Sequence, residues 1–194
     1  MTDSTRSTPA SGRNASDTRE RILEAARACF SRRSYENVGL REIASEAGVD
    51  AALVSRYFGG KEGLFAQVVE GAFHVEEHLP ESLDTVGEFL VAEVMAESNV
   101  TGEFNPLRLL LLGATSPDTA EMVSARFHAE FVQPLARKLK GRDAEIRAAL
   151  IGSYVIGLAT MRHMLESPTL TSASSRKVAA FVAAAIQTCV GISD

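Results

Sequence analysis

The sequence predicts an all-α fold, and three observations carry that reading. Apolar residues recur three and four positions apart through most of the 194 residues, the period of an amphipathic helix. Alternation with period two never persists, and the Asn-Gly and Asp-Gly pairs of tight hairpins are absent. Gly48, Gly59-Gly60, Pro80, Gly141 and Pro168 mark breaks that divide the chain into nine expected helices.

Met1 to Ser16 is rich in Ser, Thr, Gly and Pro and has no period, so a disordered arm over 1–16 is expected. Basic arms reach into minor grooves, as Arg6 or Arg13 would, but a solvated tail is the simpler account. The first helix opens at Asp17 or Thr18 and buries Ile22, Ala25, Ala26, Cys29 and Phe30. In the second, Leu40, Ile43, Ala44 and Ala47 share one face, and Gly48 ends it by taking the left-handed conformation cheaply. Val49 follows as an apolar plug and Asp50 as N-cap of a third helix. There Val54 and Phe58, four apart, point inward, leaving Ser55, Arg56 and Tyr57 off that line. Two short helices and a glycine-bearing turn form a helix-turn-helix, whose second helix enters the major groove in DNA-binding proteins; a tight pair of core helices is the plainer alternative.

The pairs Ile43-Ala44, Ala47-Gly48-Val49, Tyr57-Phe58, Lys61-Glu62 and Leu64-Phe65 decide between them. Together they closely resemble the tetracycline-repressor (TetR) family of bacterial transcription regulators, over about Thr18 to Val69 in motif and beyond that in helix layout. The resemblance implies a helix-turn-helix domain over 17–62 and a regulatory and dimerisation domain over 63–194. Relatives place Gly where Ser34 stands, so a strained left-handed cap is expected there, and Ser or Thr near Gly39, which leaves Gly39 only a backbone amide for a phosphate. Base reading, carried over by position, falls to Ala51, Ala52, Leu53, Ser55 and Arg56. Ala and Leu meet thymine methyls, and Arg56 is the one side chain there able to grip guanine with two hydrogen bonds, a phosphate contact being its alternative role. Phosphate contacts fall to Arg41, the Tyr57 hydroxyl, Lys61 and the amide near Gly60 at a helix N-terminus.

A fourth helix is expected from Lys61 through Leu64, Phe65, Val68, Val69, Ala72 and Phe73 to about Leu79, before Pro80. Gly60-Lys61 is no P-loop, since Ser55 stands where its first glycine belongs and no strand precedes it. His74 and His78 have a chelating spacing but no third ligand, so no metal and no cofactor is expected. Later helices cover about Asp84–Glu97, Pro106–Leu112, and Ser116 to Leu139 with a kink at Pro134. The last two span about Asp143–Leu165 and Ser172–Val190. They are apolar over much of their circumference and rich in Ala and Gly, more than one inner face explains. They look like the paired helices of a two-fold TetR dimer interface, placed on Ala148, Gly152, Val155 and Ala159 of one helix and Val178, Phe181, Val182 and Ala185 of the other. The resemblance also implies a small-molecule pocket in the body, for which Phe89, Met95, Phe104, Phe127, His128, Phe131, Tyr154 and His163 are candidates.

Composition bounds the rest. A 45% hydrophobic chain of this length buries a real core, and no apolar run approaches the roughly 18 residues of a membrane span. The start lacks the apolar centre of a secretory signal, and Cys29 and Cys189 are too distant for a CxxC motif, so a reducing cytoplasm is expected. Net charge is −5, yet residues 1–61 hold ten basic and eight acidic residues, a net of +2, while 62–194 hold ten and seventeen, a net of −7. That asymmetry permits a head that meets phosphates. No nucleophile–base pair or catalytic set has meaningful spacing, so an enzyme is not expected. The expectation is a repressor that binds a palindromic operator as a homodimer and is released by a small-molecule effector. The rival is a helical dimeric scaffold without a DNA role.

Overall fold

The computed structural model describes residues 10–75, 79–96, 104–139, 141–171 and 175–191. Among these there are ten helices and no strand. Four make the head: α1 (Ala10–Arg32), α2 (Leu40–Ala47), α3 (Ala51–Phe58) and α4 (Lys61–Val69). The body holds α5 (Val86–Ala96), α6 (Pro106–Ala114), α7 (120–139), α8 (Ala144–Met164), α9 (Pro168–Thr171) and α10 (Ser175–Val190). The helix beyond the expected nine is α9, a single turn whose Leu170 and Thr171 amides bond to the Ser167 carbonyl at 2.9 and 3.0 Å.

Two apolar clusters organise the chain. The first gathers Ile22, Ala26, Cys29 and Phe30 of α1, Ile43, Ala44 and Ala47 of α2, Val54 and Phe58 of α3, and Leu64, Phe65, Val68 and Val69 of α4. These are the faces their spacing predicts. The cluster also takes Leu109 and Leu110 from α6 and Val123 from α7, so body helices close the core of the head. At its centre Phe65 packs edge-on against Phe30 and Tyr35, with ring centroids 5.0 and 5.2 Å away. The second cluster joins α5, the C-terminal half of α7, α8 and α10 through Leu90, Val94, Leu135, Ile151, Val155 and Ile186. Where α5 crosses α10, a Cβ on Gly87 would stand 2.4 Å from the Ala183 carbonyl oxygen, so only glycine allows that approach.

Several expectations need correcting. Helix α1 starts at Ala10, inside the stretch expected to be disordered; Arg6 lies outside the described residues. Ser34 is not left-handed: it sits at φ −60° and ψ 154° and precedes the short turn Tyr35–Asn37, its carbonyl accepting the Asn37 N–H at 3.0 Å and its hydroxyl the Asn37 side-chain amide at 2.9 Å. Helix α7 begins at Ala120 rather than at Ser116, whose hydroxyl is turned instead to Glu36 in the head. In α7 the kink expected at Pro134 is a π-turn over His128–Val132, just before that proline. Helix α4 stops at Val69, ten residues short of Leu79, because Gly71 is left-handed at φ 74°. His74 is exposed, and His78 lies outside the described residues.

One further correction concerns α8. Ala144–Met164 is 21 residues long with a mean hydropathy of 1.3 over its most apolar window, long and apolar enough by composition to cross a membrane. Its inner face nonetheless packs in the second cluster, and it carries the buried Arg147, whose guanidinium donates to the Cys189 and Val190 carbonyls at 3.3 Å. The apolarity supplies a core face and a second, exposed stripe.

Candidate nucleic-acid interface and effector cavity

Helix α2 ends in a Schellman motif, in which Val49 N–H bonds to the Ala44 carbonyl at 2.9 Å and Gly48 N–H to Ser45 at 3.2 Å, with Gly48 at φ 64°. The Asp50 carboxylate then accepts from Ala52 N–H at 2.7 Å and starts α3. Gly59, left-handed at φ 73°, ends α3, and Gly60 precedes α4. These caps fix the angle between α2 and α3. Val54 is fully buried and Phe58 nearly so, and they anchor α3 to the head.

The opposite face of α3 is open. Ala52, Ser55 and Arg56 are exposed there, as are Arg41 and Gly39 at the start of α2. Ala51, Leu53, Tyr57 and Gly60 are half-buried. Gly39, at φ −102°, caps α2 without any side-chain bond, and a Cβ added to it would meet nothing within 4 Å. Lys61 is also half-buried: its ammonium lies 4.3 Å from the centre of the Tyr35 ring, and burial holds its pKa below the usual lysine value against the pull of Glu36 and Asp118. Other arginines of the head are engaged internally. Arg32 pairs with Glu46 at 2.7 Å, Arg33 pairs with Glu42, and the Arg19 guanidinium lies over Phe58 at 5.3 Å. Arg41 and Arg56 have no such partner among the described residues.

In the body a cavity of about 170 Å³ lies between the two clusters. Phe89, Phe127 and Phe131, expected there from the sequence, line it. Phe127 and Phe131 are stacked with centroids 5.0 Å apart, and Phe73 meets Phe127 edge-on at 5.8 Å. The other five candidates lie elsewhere. Met95 borders an open groove of about 600 Å³ between α5 and α10, and Phe104 a polar cleft of about 470 Å³ beside Arg27. His128 pairs with Glu145 at 3.2 Å, Tyr154 is exposed, and the buried His163 ring bonds to the Val94 carbonyl at 2.8 Å. The sequence reading missed Ala72, Phe73, His74 and Val75, which form one wall of the cavity only because α4 breaks at Gly71.

Of the residues expected at a dimer interface, Ala148, Gly152, Val155 and Ala159 are turned into the second cluster of their own chain. Val178, Val182 and Ala185 are half-buried, and Phe181 stands 77% exposed. The open side of α8 carries Ile146, Leu150, Tyr154 and Met161 instead, with exposed Leu165 just past its end.

The molecule is thus a helix-turn-helix head, presenting one face of α3, built onto an α-helical body with an aromatic cavity. Residues 22–68 match the model of the bacterial regulatory proteins of the tetR family, and residues 84–190 match that of the tetracyclin repressor-like C-terminal domain. The chain belongs to the TetR family. It is similar to the HTH-type transcriptional regulatory protein RaaS of Mycobacterium tuberculosis, with 59% identity over 44 residues, 23% of this chain and 20% of that one. It is 36% identical to the HTH-type transcriptional repressor AcnR of Corynebacterium glutamicum over 56 residues, 29% of this chain and 30% of that one. These matches span less than a third of the two curated relatives. A TetR-family regulator of Streptomyces coelicolor A3 is similar along nearly the whole length, with 30% identity, a TM-score of 0.58, and coverage of 97% of this chain and 100% of that one.

Proposed function

We propose that the chain is a cytoplasmic transcriptional repressor that binds a palindromic operator as a homodimer and releases it when a small molecule occupies the body. The observation that carries the DNA reading is the open face of α3, where Ser55 and Arg56 are exposed on a helix held at both ends by glycine turns and at its root by Val54 and Phe58. A helix presented this way fits a major groove, with Arg56 reading guanine and Arg41 and the amides at Gly39 and Gly60 meeting phosphates. Lys61 supplies positive charge once its ammonium leaves the Tyr35 ring for a phosphate.

Release follows from where the cavity lies. Its lining takes Phe73 from the first cluster and Leu90, Val94 and Phe131 from the second. Pockets for drug-sized ligands span roughly 300–1,000 Å³, so a cavity of about 170 Å³ grows to hold one. Growth there moves the clusters apart, and a ligand that prefers the expanded form shifts the population away from the spacing the operator requires.

The test is a gel shift on duplexes selected by the protein from a random-sequence pool. Affinity falls steeply with salt, as counterion release demands, and Arg56→Ala loses about 1–3 kcal/mol while relaxing preference at one base position. Equal weakening on every sequence assigns Arg56 to a phosphate. Failure to enrich any duplex overturns the DNA reading and leaves the scaffold alternative.

A further inference from the structure

We propose that residues 70–73 are a two-state hinge coupling the cavity to α4, and that Glu130 is the positioning residue that holds the bent state. The proposal rests on the regulator reading above and adds the element through which it works.

The sequence encodes a longer α4 than the chain folds into. Phe65, Val69 and Phe73 continue one helical face without a break in period. The helix nevertheless ends at Val69; Glu70 turns to ψ 122° and Gly71 to φ 74°. What holds this bend is a single residue 59 positions away. Glu130 is 6% exposed, and its two carboxylate oxygens accept Gly71 N–H at 2.9 Å and Phe73 N–H at 3.0 Å. In a continuous helix the same two donors would bond to the carbonyls of Gln67 and Val69. Each N–H has one hydrogen to give, so the bent and the straight forms exclude each other.

Residue 130 is prepared for this task by its own helix. It sits in the π-turn of α7, and Pro134 removes the N–H that would otherwise bond back to its carbonyl. That carbonyl accepts Val75 N–H at 3.4 Å, a third bond from the same residue to the same segment. The carboxylate also resists release, because a buried charge stripped of its donors is costly. Arg126 stands 3.8 Å away on the outer side.

The hinge touches both things a regulator must connect. Ala72 to Val75 wall the aromatic cavity, while Gly71 and Ala72 border the polar cleft beside Arg27. At its other end α4 follows directly on α3 through Gly59-Gly60. A ligand that displaces Phe73 therefore acts on the end of the helix that supports the reading head, and Glu130 sets which form that helix takes.

The test uses isotope-labelled full-length protein and reads Cα chemical shifts of residues 70–73 by NMR. Glu130→Ala is expected to move them to helical values, and Gly71→Ala to do the same with Glu130 in place, which keeps the test alive if the first variant fails to fold. Glu130→Gln, which retains one acceptor oxygen, is expected to fall between. Coil values or unchanged values in both alanine variants overturn the hinge; a merely structural Glu130 would give coil values and a lower melting temperature. For the coupling, Gly71→Ala is expected to change affinity for a duplex enriched by the wild-type protein at least tenfold, and helical shifts with affinity unchanged within twofold overturn it. A wild-type protein that enriches no duplex brings down the regulator reading instead, a failure the shifts register separately.

Discussion

The thiol of Cys29 illustrates how a residue ordinary in sequence acquires a defined chemistry in the fold. It is fully buried on α1, donates to the Glu46 carboxylate at 3.1 Å, and has the Arg32 guanidinium at 3.6 Å. Burial pushes its pKa up from 9.0 to about 11, the hydrogen bond and charge of Glu46 push the same way, and Arg32 opposes them. A folded pKa above the unfolded one means the native state holds the proton longer. The resulting stabilisation is intact below pH 9 and is lost as pH rises towards 11. By pH 10 the loss is on the order of 1 kcal/mol. Urea midpoints at pH 7 and pH 10 should therefore fall further in wild type than in Cys29→Ala, and a thiol reagent at pH 8 should modify Cys29 only as fast as the head unfolds. Equal alkaline losses in the two proteins would remove this account.

At the scale of helices, Arg147 joins two elements that sequence period could only place separately. Its Nε donates to the Arg142 carbonyl at 3.1 Å, and one terminal nitrogen donates to the Cys189 and Val190 carbonyls at the end of α10. Helix C-termini carry orphan carbonyls and a partial negative charge, so a buried cation there is doubly favoured. Arg147→Met should lower stability by about 1.5–3 kcal/mol, the worth of hydrogen bonds to a charged group, and speed amide exchange in the last turn of α10; an unchanged urea midpoint would refute the capping role. The helices themselves were legible wherever one face alone is apolar, as in α1 to α3, because the buried positions repeat with the helical period. Two things were not. The end of α4 sets Gly71 against an apolar period that runs on to Phe73, and the Glu130 carboxylate that accepts from Gly71 and Phe73 is 59 positions from Gly71, so the Ala72–Val75 wall of the cavity went unread. On α8, apolar residues surround the helix, so period does not say which face meets the protomer's own core. Small residues suggested Ala148, Gly152, Val155 and Ala159 for a partner, and those are the ones turned inward.

For the whole molecule, the question is what covers the other side of α8. Ile146, Leu150, Tyr154 and Met161 follow one another along its open face, with Leu165 just past its end, and Phe181 of α10 is 77% exposed. Exposed apolar residues grouped along one face mark interaction surfaces when they form a contiguous patch. A two-fold axis laid across α8 and α10 would bring each stripe against its copy, the arrangement in which one patch is complementary to itself. Such pairing would also fix the separation of the two α3 helices, and two linked heads bind a palindrome far more tightly than one because the second contact is intramolecular. The wild-type chain of 20.8 kDa should therefore sediment at about twice that mass, and the double variant Leu150→Asp with Phe181→Asp should sediment as a monomer with its helical circular dichroism retained. Its affinity for a full palindrome should drop at least a hundredfold while affinity for a single half-site changes little. Because the substituted positions are exposed, loss of folding is not the expected cause of that drop. A wild-type protein that sediments as a monomer would remove the dimer, and with it the geometric reason for a palindromic operator, while leaving the recognition surface on α3 as it stands.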